Sequence, residues 1–218
     1  MKFTHLLMCV SLCAAFLSFG TSKGHCDVKL PAVLDSHMVL QRNAPIHFWG
    51  WADVGEKVTV TMGDEVATTQ AGKDGKWKVS FSPQKADKKM RTITVAGKNT
   101  IELTDVLVGE VWIGSGQSNM EWTLANTIGS AEAIAAADHP MIRLFHIPKV
   151  QNKEPASDVK ADWKVCRPKD VPRFSAVLYY FGLQLQKELN VPIGLINSSW
   201  GGSPIEPWTI ADGKSGGM

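Results

Sequence analysis

A serine in a glycine-rich segment is the first feature of this sequence that suggests chemistry. Ser118 lies in residues 114–122, directly after an apolar run at residues 111–113. Ligands bind where the strands of α/β sheets end, and glycine lets the backbone turn tightly and approach a substrate there. A serine hydroxyl in that place can attack a carbonyl while backbone N–H groups stabilise the oxyanion. A plain turn is the alternative interpretation.

Two familiar motifs are similar to this segment without matching it. Residues 109–115 have the spacing of a phosphate-binding loop but lack the lysine that contacts the phosphates. Residues 116–120 begin like the nucleophile elbow of the α/β-hydrolases, but Met120 stands where the second glycine belongs. The sequence therefore predicts neither a P-loop nor a usual α/β-hydrolase elbow.

The residues before this segment predict an all-β domain. Period-two alternation of apolar and polar residues occurs at 58–62, 77–81 and 91–95, with turn-forming residues between these runs. No helical period interrupts them. Consecutive short strands of this kind favour an antiparallel β-sandwich or jelly roll over residues 28–104.

After residue 105 the pattern changes to that of an α/β domain. Buried strands are predicted at 106–108, 111–113 and 193–196, and a further strand at 141–147. A helix is predicted over residues 174–189, with one apolar stripe and a stop at Asn190 and Pro192; the stripe consists of Val177, Leu178, Phe181, Leu185 and Leu189. Ser130 is expected to cap a short helix that ends at Ala137. Strand, helix and strand in this order indicate a second domain, of which residues 105–218 form the first part.

Residues 105–122, DVLVGEVWIGSGQSNMEW, resemble the nucleophile block of the sialate O-acetylesterases, a branch of the SGNH (GDSL-like) hydrolases. The resemblance extends over nearly all of the chain that follows the amino-terminal segment. It includes residues 30–31, 38–42, 49–52, 174–181 and 192–208. It implies a flavodoxin-like parallel sheet in the second domain.

The resemblance also implies site residues. The family's nucleophile falls on Ser118, and its oxyanion block falls on residues 200–203, where Gly201 and Gly202 are the candidate donors. Two N–H groups at a strand end can point at one developing charge, although a Gly-Gly pair also forms ordinary turns. Which glycine donates stays open. Three polar residues are further candidates for the same pocket, or else solvated or capping groups: Asn119, Glu121 and Arg143.

The function implied is that of a serine esterase that removes O-acetyl groups from a sugar through an acetyl-enzyme. Sialic acid is the favoured substrate, with acetylated xylan or another glycan next, and no metal or other cofactor is expected. The family also uses an Asp-x-His pair, which nothing after Trp208 supplies, and Asp138-His139 lacks the intervening residue. The chain is therefore expected to be a carboxy-terminally truncated, inactive member of the family.

The amino-terminal residues predict where the protein is located, and the composition indicates which partners it binds. Lys2 followed by an apolar run to Phe19 predicts a signal peptide over residues 1–20, hence export to the periplasm or beyond, without a stable membrane anchor. Of the four cysteines, Cys166 is the one expected to stay in the mature chain with certainty. A net charge of +2 with dispersed basic residues argues against a nucleic-acid partner. Oligomeric state is not predicted.

A carbohydrate-binding protein without catalysis is the rival interpretation. In that case the β-sandwich would bind sugar on exposed aromatic rings, because sugars stack on such surfaces. Trp49, Trp51 and Trp77 are the candidates. Exposed rings on one face would favour this function, and buried rings would oppose it.

Overall fold

The computed structural model describes residues 27–152 and 154–204. The predicted signal peptide over residues 1–20 lies outside these residues, as does the end of the second resemblance block at 205–208. No helix of the described part is long and apolar enough to cross a membrane.

Six strands precede the segment that carries Ser118. They are β1 (Val39–Gln41), β2 (Ile46–Trp51), β3 (Lys57–Met62), β4 (Glu65–Gln70), β5 (Lys76–Phe81) and β6 (Asp87–Ala96). Strands β3, β4 and β6 pair antiparallel in one sheet, and β2 pairs antiparallel with β5 in a separate two-stranded sheet. The predicted runs at 58–62, 77–81 and 91–95 thus lie in β3, β5 and β6 and are confirmed as strands.

Alternating burial explains how these two sheets pack. In β5 every second side chain is buried, and β2 and β3 show the same period for most of their length. The inward side chains form one apolar cluster, in which Phe48 and Phe81 meet edge to face at 5.8 Å between ring centroids. Burial of this period-two face is the main driving force for this half of the fold.

The next strand, β7 (Thr100–Gly116), is a single element of 17 residues, where the sequence predicted two short strands. Its first half pairs antiparallel with β6. The register between these strands shifts around residues 103–106, where Asp105 adopts a left-handed conformation with φ 55°. The predicted boundary near residue 105 therefore falls inside a strand that belongs to both halves of the chain.

Beyond residue 109, β7 joins a parallel sheet. It pairs with β10 (Ile193–Ser199), which pairs in turn with β8 (His139–His146), and β9 (Trp163–Cys166) adds an antiparallel edge. The order in the eight-stranded sheet is β4-β3-β6-β7-β10-β8-β9, with β1 beside β7. Parallel strands end at the same edge of the sheet, so β7, β8 and β10 deliver the residues that follow them to one place.

Among the described residues, three α-helices accompany this sheet: α1 (Ser118–Glu121), α2 (Ser130–Ala135) and α3 (Ala176–Leu189). A 3₁₀ helix, Leu124–Asn126, lies between α1 and α2. Ser130 is the first residue of α2 and not its cap, since Gly129 occupies the N-cap position without a side-chain hydrogen bond. In α3 the Ser175 hydroxyl accepts a hydrogen bond from the Leu178 N–H, and Asn190 ends the helix in a left-handed conformation. The predicted helix and its stop are thus confirmed, with two residues fewer at its start.

The buried face of α3 differs from the predicted stripe. Leu178, Tyr179 and Gly182 face the interior, whereas Val177 and Phe181 are exposed. Of the five predicted stripe residues, Leu178 is buried and Leu185 is partly buried, so the stripe is confirmed there and wrong for Val177, Phe181 and Leu189. Close packing on β10 places the small Gly182 on the buried face instead. The observed architecture is a mixed sheet with few helices, which agrees with the coarse fold class predicted.

Candidate active site

The pairing of β7 with β10 places Ser118 beside the glycine pair. Gly116 pairs with Ser199, and the Trp200 N–H donates to the Gly116 carbonyl at 2.9 Å. Ser118 lies two residues beyond Gly116, and Gly201 two residues beyond Ser199. Ser118 and Gly201 are therefore at equivalent positions after the two paired strands. Their segments lie together at the C-terminal edge of the parallel sheet.

Gly201 lies in close contact with Ser118. A Cβ atom at residue 201 would be 3.4 Å from Ser118 Oγ and 3.3 Å from Ser118 Cα. The Ser118 side chain is exposed, and it starts α1, where backbone N–H groups face outward. Gly202 has a left-handed backbone (φ 74°) with open space around its Cα. The Ser118 hydroxyl is therefore accessible at the sheet edge, beside the Gly201 turn.

Glu121 makes an unexpected contact in this site. One of its carboxylate oxygens accepts a hydrogen bond from the Gly201 N–H, and the other pairs with the Lys149 ammonium. The Lys149 and Gly201 hydrogen bonds lower the pKa of Glu121, and the nearby His146 adds a smaller effect in the same direction. Glu121 is therefore ionised at neutral pH and is bonded to one of the predicted oxyanion donors.

A shallow, open cavity of about 330 Å³ surrounds these groups. Its lining residues are Ser118, Glu121, Trp122, Thr123, Asn126 and Gly201. Trp122 is 56% exposed, with its indole N–H bonded to the Asn126 carbonyl at 3.1 Å. An exposed indole beside a nucleophile offers a flat apolar surface to a sugar ring. Asn119 lines a neighbouring cavity with Trp122, Thr127 and Tyr180, among others.

No histidine within residues 27–152 and 154–204 is hydrogen-bonded to Ser118 Oγ. His146 ends β8 at the same sheet edge, and its pKa is lowered by desolvation and then by the charge of Lys149. His139 starts β8 and contacts Tyr179, with 6.3 Å between ring centroids. The structure therefore places His139 at the opposite end of β8 from His146.

Arg143 does not line the Ser118 pocket, which corrects one of the candidates. Its side chain is 2% exposed, and its guanidinium makes a bidentate ion pair with Asp105 at 2.6 and 2.9 Å. It also donates to the carbonyls of Pro140 and His37. Because Arg143 is buried on the central strand β8, its charge requires a counter-ion, and the partly buried Asp105 at the irregular part of β7 supplies one.

Two features of the described part concern other chemistry. No group of three or more His, Cys, Asp or Glu side chains in it is arranged to hold a metal ion. Cys166 is buried, and desolvation raises the pKa of its thiol to about 12. A thiol that stays protonated at neutral pH is a poor nucleophile.

The rival tryptophans differ in burial. Trp77 is buried in the apolar cluster, and Trp51 is half-buried. Trp49 on β2 is 40% exposed. A sugar-binding face built from all three rings is therefore absent among these residues, and Trp49 is the one accessible ring.

Lys149, Thr123 and Asn126 are site residues that sequence reasoning missed. Lys149 follows the end of β8, and the other two lie just after α1, so all three come shortly after elements that end at one sheet edge. Their position after these elements was the signal in the sequence that could have identified them as site residues. Their residue types carried none, because lysine, threonine and asparagine are common on any surface.

The chain is similar in sequence to known enzymes. No known family profile matches the chain. It is 32% identical to the sialate O-acetylesterase of Rattus norvegicus over 201 residues, which covers 83% of this chain and 37% of the relative. With the sialate O-acetylesterase of Homo sapiens it shares 32% identity over 202 residues, covering 83% of this chain and 38% of that protein.

A solved structure agrees with these relatives. A carbohydrate acetylesterase from Xanthomonas citri is 36% identical and superimposes with a TM-score of 0.83, covering 87% of this chain and 44% of that one. The chain thus spans well under half the length of the curated relatives it matches. Sequence, fold and the Ser118 edge agree on one conclusion: the chain belongs to the sialate O-acetylesterase family.

Proposed function

We propose that this chain is the nucleophile-bearing part of a serine esterase that removes O-acetyl groups from carbohydrates. The observation that carries the proposal is the contact between Ser118 and the Gly201 turn at the C-terminal edge of the parallel sheet. Relatives named sialate O-acetylesterase and a similar structure named carbohydrate acetylesterase support the substrate class.

The proposed reaction has two steps. The Ser118 hydroxyl oxygen attacks the acetyl carbonyl carbon, its proton passes to a histidine base, and an N–H group of the 201–202 turn stabilises the oxyanion. The carbon–oxygen bond to the sugar then breaks, and the sugar oxygen leaves with that proton. Water cleaves the acetyl-enzyme in the second step, releasing acetate and restoring Ser118. The base is proposed to come from outside the described residues.

O-acetylated sialic acid is the proposed substrate, with acetylated xylan as the alternative. Trp122 supports a sugar ligand in either case, because its exposed ring borders the Ser118 cavity. A sialic acid carries a carboxylate that a neutral xylan lacks. Comparing initial rates on the two acetylated sugars therefore identifies the substrate class.

We also propose the finer organisation and the location of the protein. Residues 28–104 are a β-sandwich domain, and residues 105–218 are the first part of an SGNH-type α/β domain. The packing of the β2–β5 sheet on the large sheet supports the former, and the parallel order β7-β10-β8 supports the latter. The protein is exported to the periplasm or beyond. Mass spectrometry of the periplasmic product tests this, since an intact Met1 there would contradict cleavage.

The test of function is acetate release from O-acetylated sialic acid and from acetylated xylan. The chain is extended with the remaining carboxy-terminal part of the Xanthomonas citri acetylesterase, so that a complete domain is assayed. The extended protein is expected to release acetate, and Ser118→Ala to reduce kcat at least a thousandfold. An unchanged rate in Ser118→Ala would exclude Ser118 as the nucleophile.

Carbohydrate binding without catalysis is the second candidate, and the exposed Trp49 is the observation that favours it. Calorimetry with deacetylated sialic acid and xylan oligosaccharides separates the two functions. If Trp49→Ala abolishes binding while Trp122→Ala does not, the β2 face is the binding surface. The esterase proposal expects the reverse.

A further inference from the structure

Two residues on either side of Ser118, Gln117 and Glu121, make hydrogen bonds to the glycine turn, residues 200–203. Gln117 donates from its side-chain amide to the Ser203 carbonyl, and Glu121 accepts from the Gly201 N–H. Ser118 lies between them in sequence. The turn is thus attached to the nucleophile segment at its second and fourth residues, counting from Trp200.

Within the turn, Ser203 is bonded to Trp200. The Ser203 hydroxyl donates to the Trp200 carbonyl at 2.6 Å, and the Ser203 N–H approaches the same oxygen at 3.4 Å. Gly202, with its left-handed backbone, has no side chain to pack. A segment with two adjacent glycines has a large conformational entropy, so its position depends on contacts from outside.

Lys149 contacts the Glu121 carboxylate at the oxygen that does not bond Gly201. It pairs with the second oxygen of Glu121, so the carboxylate is held between an ammonium and a backbone N–H. The side chains of Glu121 and Lys149 are each about one-third exposed, so solvent weakens their attraction without removing it. Lys149 and His146 are the ionisable groups that act on Glu121.

We propose that Glu121, oriented by Lys149, is a positioning residue that holds Gly201 against Ser118 and leaves oxyanion donation to Gly202. The proposal rests on the proposed function. An N–H group carries one hydrogen, and that of Gly201 is directed at Glu121. The Gly202 N–H makes no hydrogen bond to another described group, which leaves it available for a ligand.

An acceptor oxygen is what this role requires, and its charge is secondary. Glu121→Gln keeps a carbonyl oxygen at the same distance along the side chain, whereas Glu121→Ala removes the acceptor. Misplacement of a catalytic group by about 1 Å can reduce the rate by about a hundredfold. Glu121→Ala is therefore expected to lower kcat by about ten- to a hundredfold with little change in KM, and Glu121→Gln to restore most of the rate.

The first experiment needs no catalysis. In the 218-residue chain, the amide signal of Gly201 is followed by proton–nitrogen NMR as the pH is lowered. The signal should move when Glu121 takes up a proton, at a midpoint below the usual glutamate value of 4.5. Glu121→Gln should remove this titration and Lys149→Met should raise its midpoint. A Gly201 signal that titrates identically in Glu121→Gln would overturn the contact.

The second experiment measures kcat and KM in the extended protein, with Glu132→Ala as the matched control. Glu132 is an exposed carboxylate on α2 outside the site. If Glu121→Ala has the kcat of the control, the positioning role is wrong, and if Glu121→Gln is as slow as Glu121→Ala, the charge is what matters. Failure of the proposed function is distinguishable, because Ser118→Ala would then keep activity while the NMR result stands.

Discussion

At the scale of single residues, the bidentate ion pair between the buried Arg143 and the partly buried Asp105 is well defined. Asp105 has a left-handed backbone, which Asp and Asn tolerate better than other residues with a Cβ atom. Burial by itself would raise the pKa of its carboxyl, but hydrogen bonds from Arg143 and His37 outweigh burial and lower that pKa. Asp105 thus provides both the left-handed backbone at the irregular part of β7 and the negative charge that pairs with Arg143.

Asp105→Asn is expected to destabilise the fold at neutral pH. Asparagine keeps the left-handed backbone and the shape, but Arg143 loses its counter-ion. Breaking a fully buried pair costs about 3–5 kcal/mol, and the 20% exposure of Asp105 reduces that cost here. Because the folded-state pKa of Asp105 is lowered, its contribution is present above the ordinary value of 3.8 and is lost as the pH falls through the folded-state pKa. Urea unfolding at pH 7 and at pH 3 measures this.

The difference between wild type and Asp105→Asn should therefore shrink at pH 3. An equal difference at both pH values would mean that the ion pair does not carry the stability. Lys76→Met serves as the control, since its pairing with Asp74 at 3.9 Å is exposed. That substitution should change the free energy of unfolding by less than about 0.5 kcal/mol.

A second residue-scale prediction concerns Gly201. A Cβ atom there would lie 2.6 Å from a Glu121 oxygen and would crowd Ser118. Gly201→Ala should lower kcat of the extended protein at least tenfold while the thermal midpoint changes little, because the site is at the surface. Gly202→Ala is the comparison: it has free space but a strained φ, worth about 1–2 kcal/mol. Equal kcat in Gly201→Ala and wild type would contradict the close contact.

At the scale of elements, the contact between α3 and β10 positions the parallel sheet that carries the site. Gly182 lies where a Cβ atom would be 2.5 Å from a Leu195 methyl carbon. Helix and strand therefore approach more closely than any larger residue permits. Trp112 on β7 and Phe181 on α3 also make an edge-to-face contact, with 5.2 Å between ring centroids, although both side chains remain exposed.

Gly182→Ala should destabilise the chain, although alanine favours helix by about 1 kcal/mol over glycine. Overpacking of a close contact typically costs about 1–3 kcal/mol, which outweighs that gain. Chemical denaturation measures the free energy of unfolding of Gly182→Ala, Leu195→Val and the double variant. Leu195→Val removes the Leu195 methyl carbon that would clash with a Cβ atom at residue 182. The free energy of unfolding lost in the variant with both substitutions should therefore be smaller than the sum of the two single losses. Additive losses would show that the two residues do not clash.

At the scale of the whole molecule, one edge of β7 has no partner strand among the described residues. Beyond Gly109, β7 pairs with β10 on one side and with no strand of the described residues on the other, and Ile113 in this stretch is 67% exposed. An exposed apolar strand edge is a site of edge-to-edge association. Val177 and Phe181 on α3 add apolar surface beside it.

We expect the 218-residue chain to self-associate through this edge. Ile113→Lys should raise the concentration at which association begins, because a charge opposes strand pairing. Val54→Lys is the matched control, since Val54 is a similarly exposed valine in a loop. Sedimentation velocity measures the change. Equal effects of the two substitutions would indicate a general effect of charge on solubility.

We further expect the 218-residue chain by itself to show little esterase activity. A serine hydroxyl is a weak nucleophile at neutral pH, and loss of its base costs several orders of magnitude in rate. Hydrolysis of an aryl acetate by the chain, its Ser118→Ala variant and the extended protein measures this. Rates in the chain near those of the extended protein would mean that a histidine of the chain is the base. His146, at the same sheet edge as Ser118, would then be the first to replace.

Local sequence patterns were sufficient for much of this molecule. Alternation at 58–62 and 77–81 predicted strands because a sheet with one buried face selects residues with period two. Asn190 and Pro192 predicted the end of α3 by backbone preference. The segment around Ser118 identified the family, since a long motif holds more information than composition does. None of these predictions needed a contact between distant residues.

Contacts between distant residues were decided by the tertiary structure. Arg143 was expected at the pocket, but it pairs with Asp105, 38 positions away in sequence, because a buried cation must take whichever carboxylate the fold brings to it. Lys149 reaches Glu121 because β8 ends at the same sheet edge as β7. Sequence determined which elements form, since propensity and periodicity are local. Strand order and register decided which side chains meet at Ser118, since they depend on pairings that no local pattern encodes.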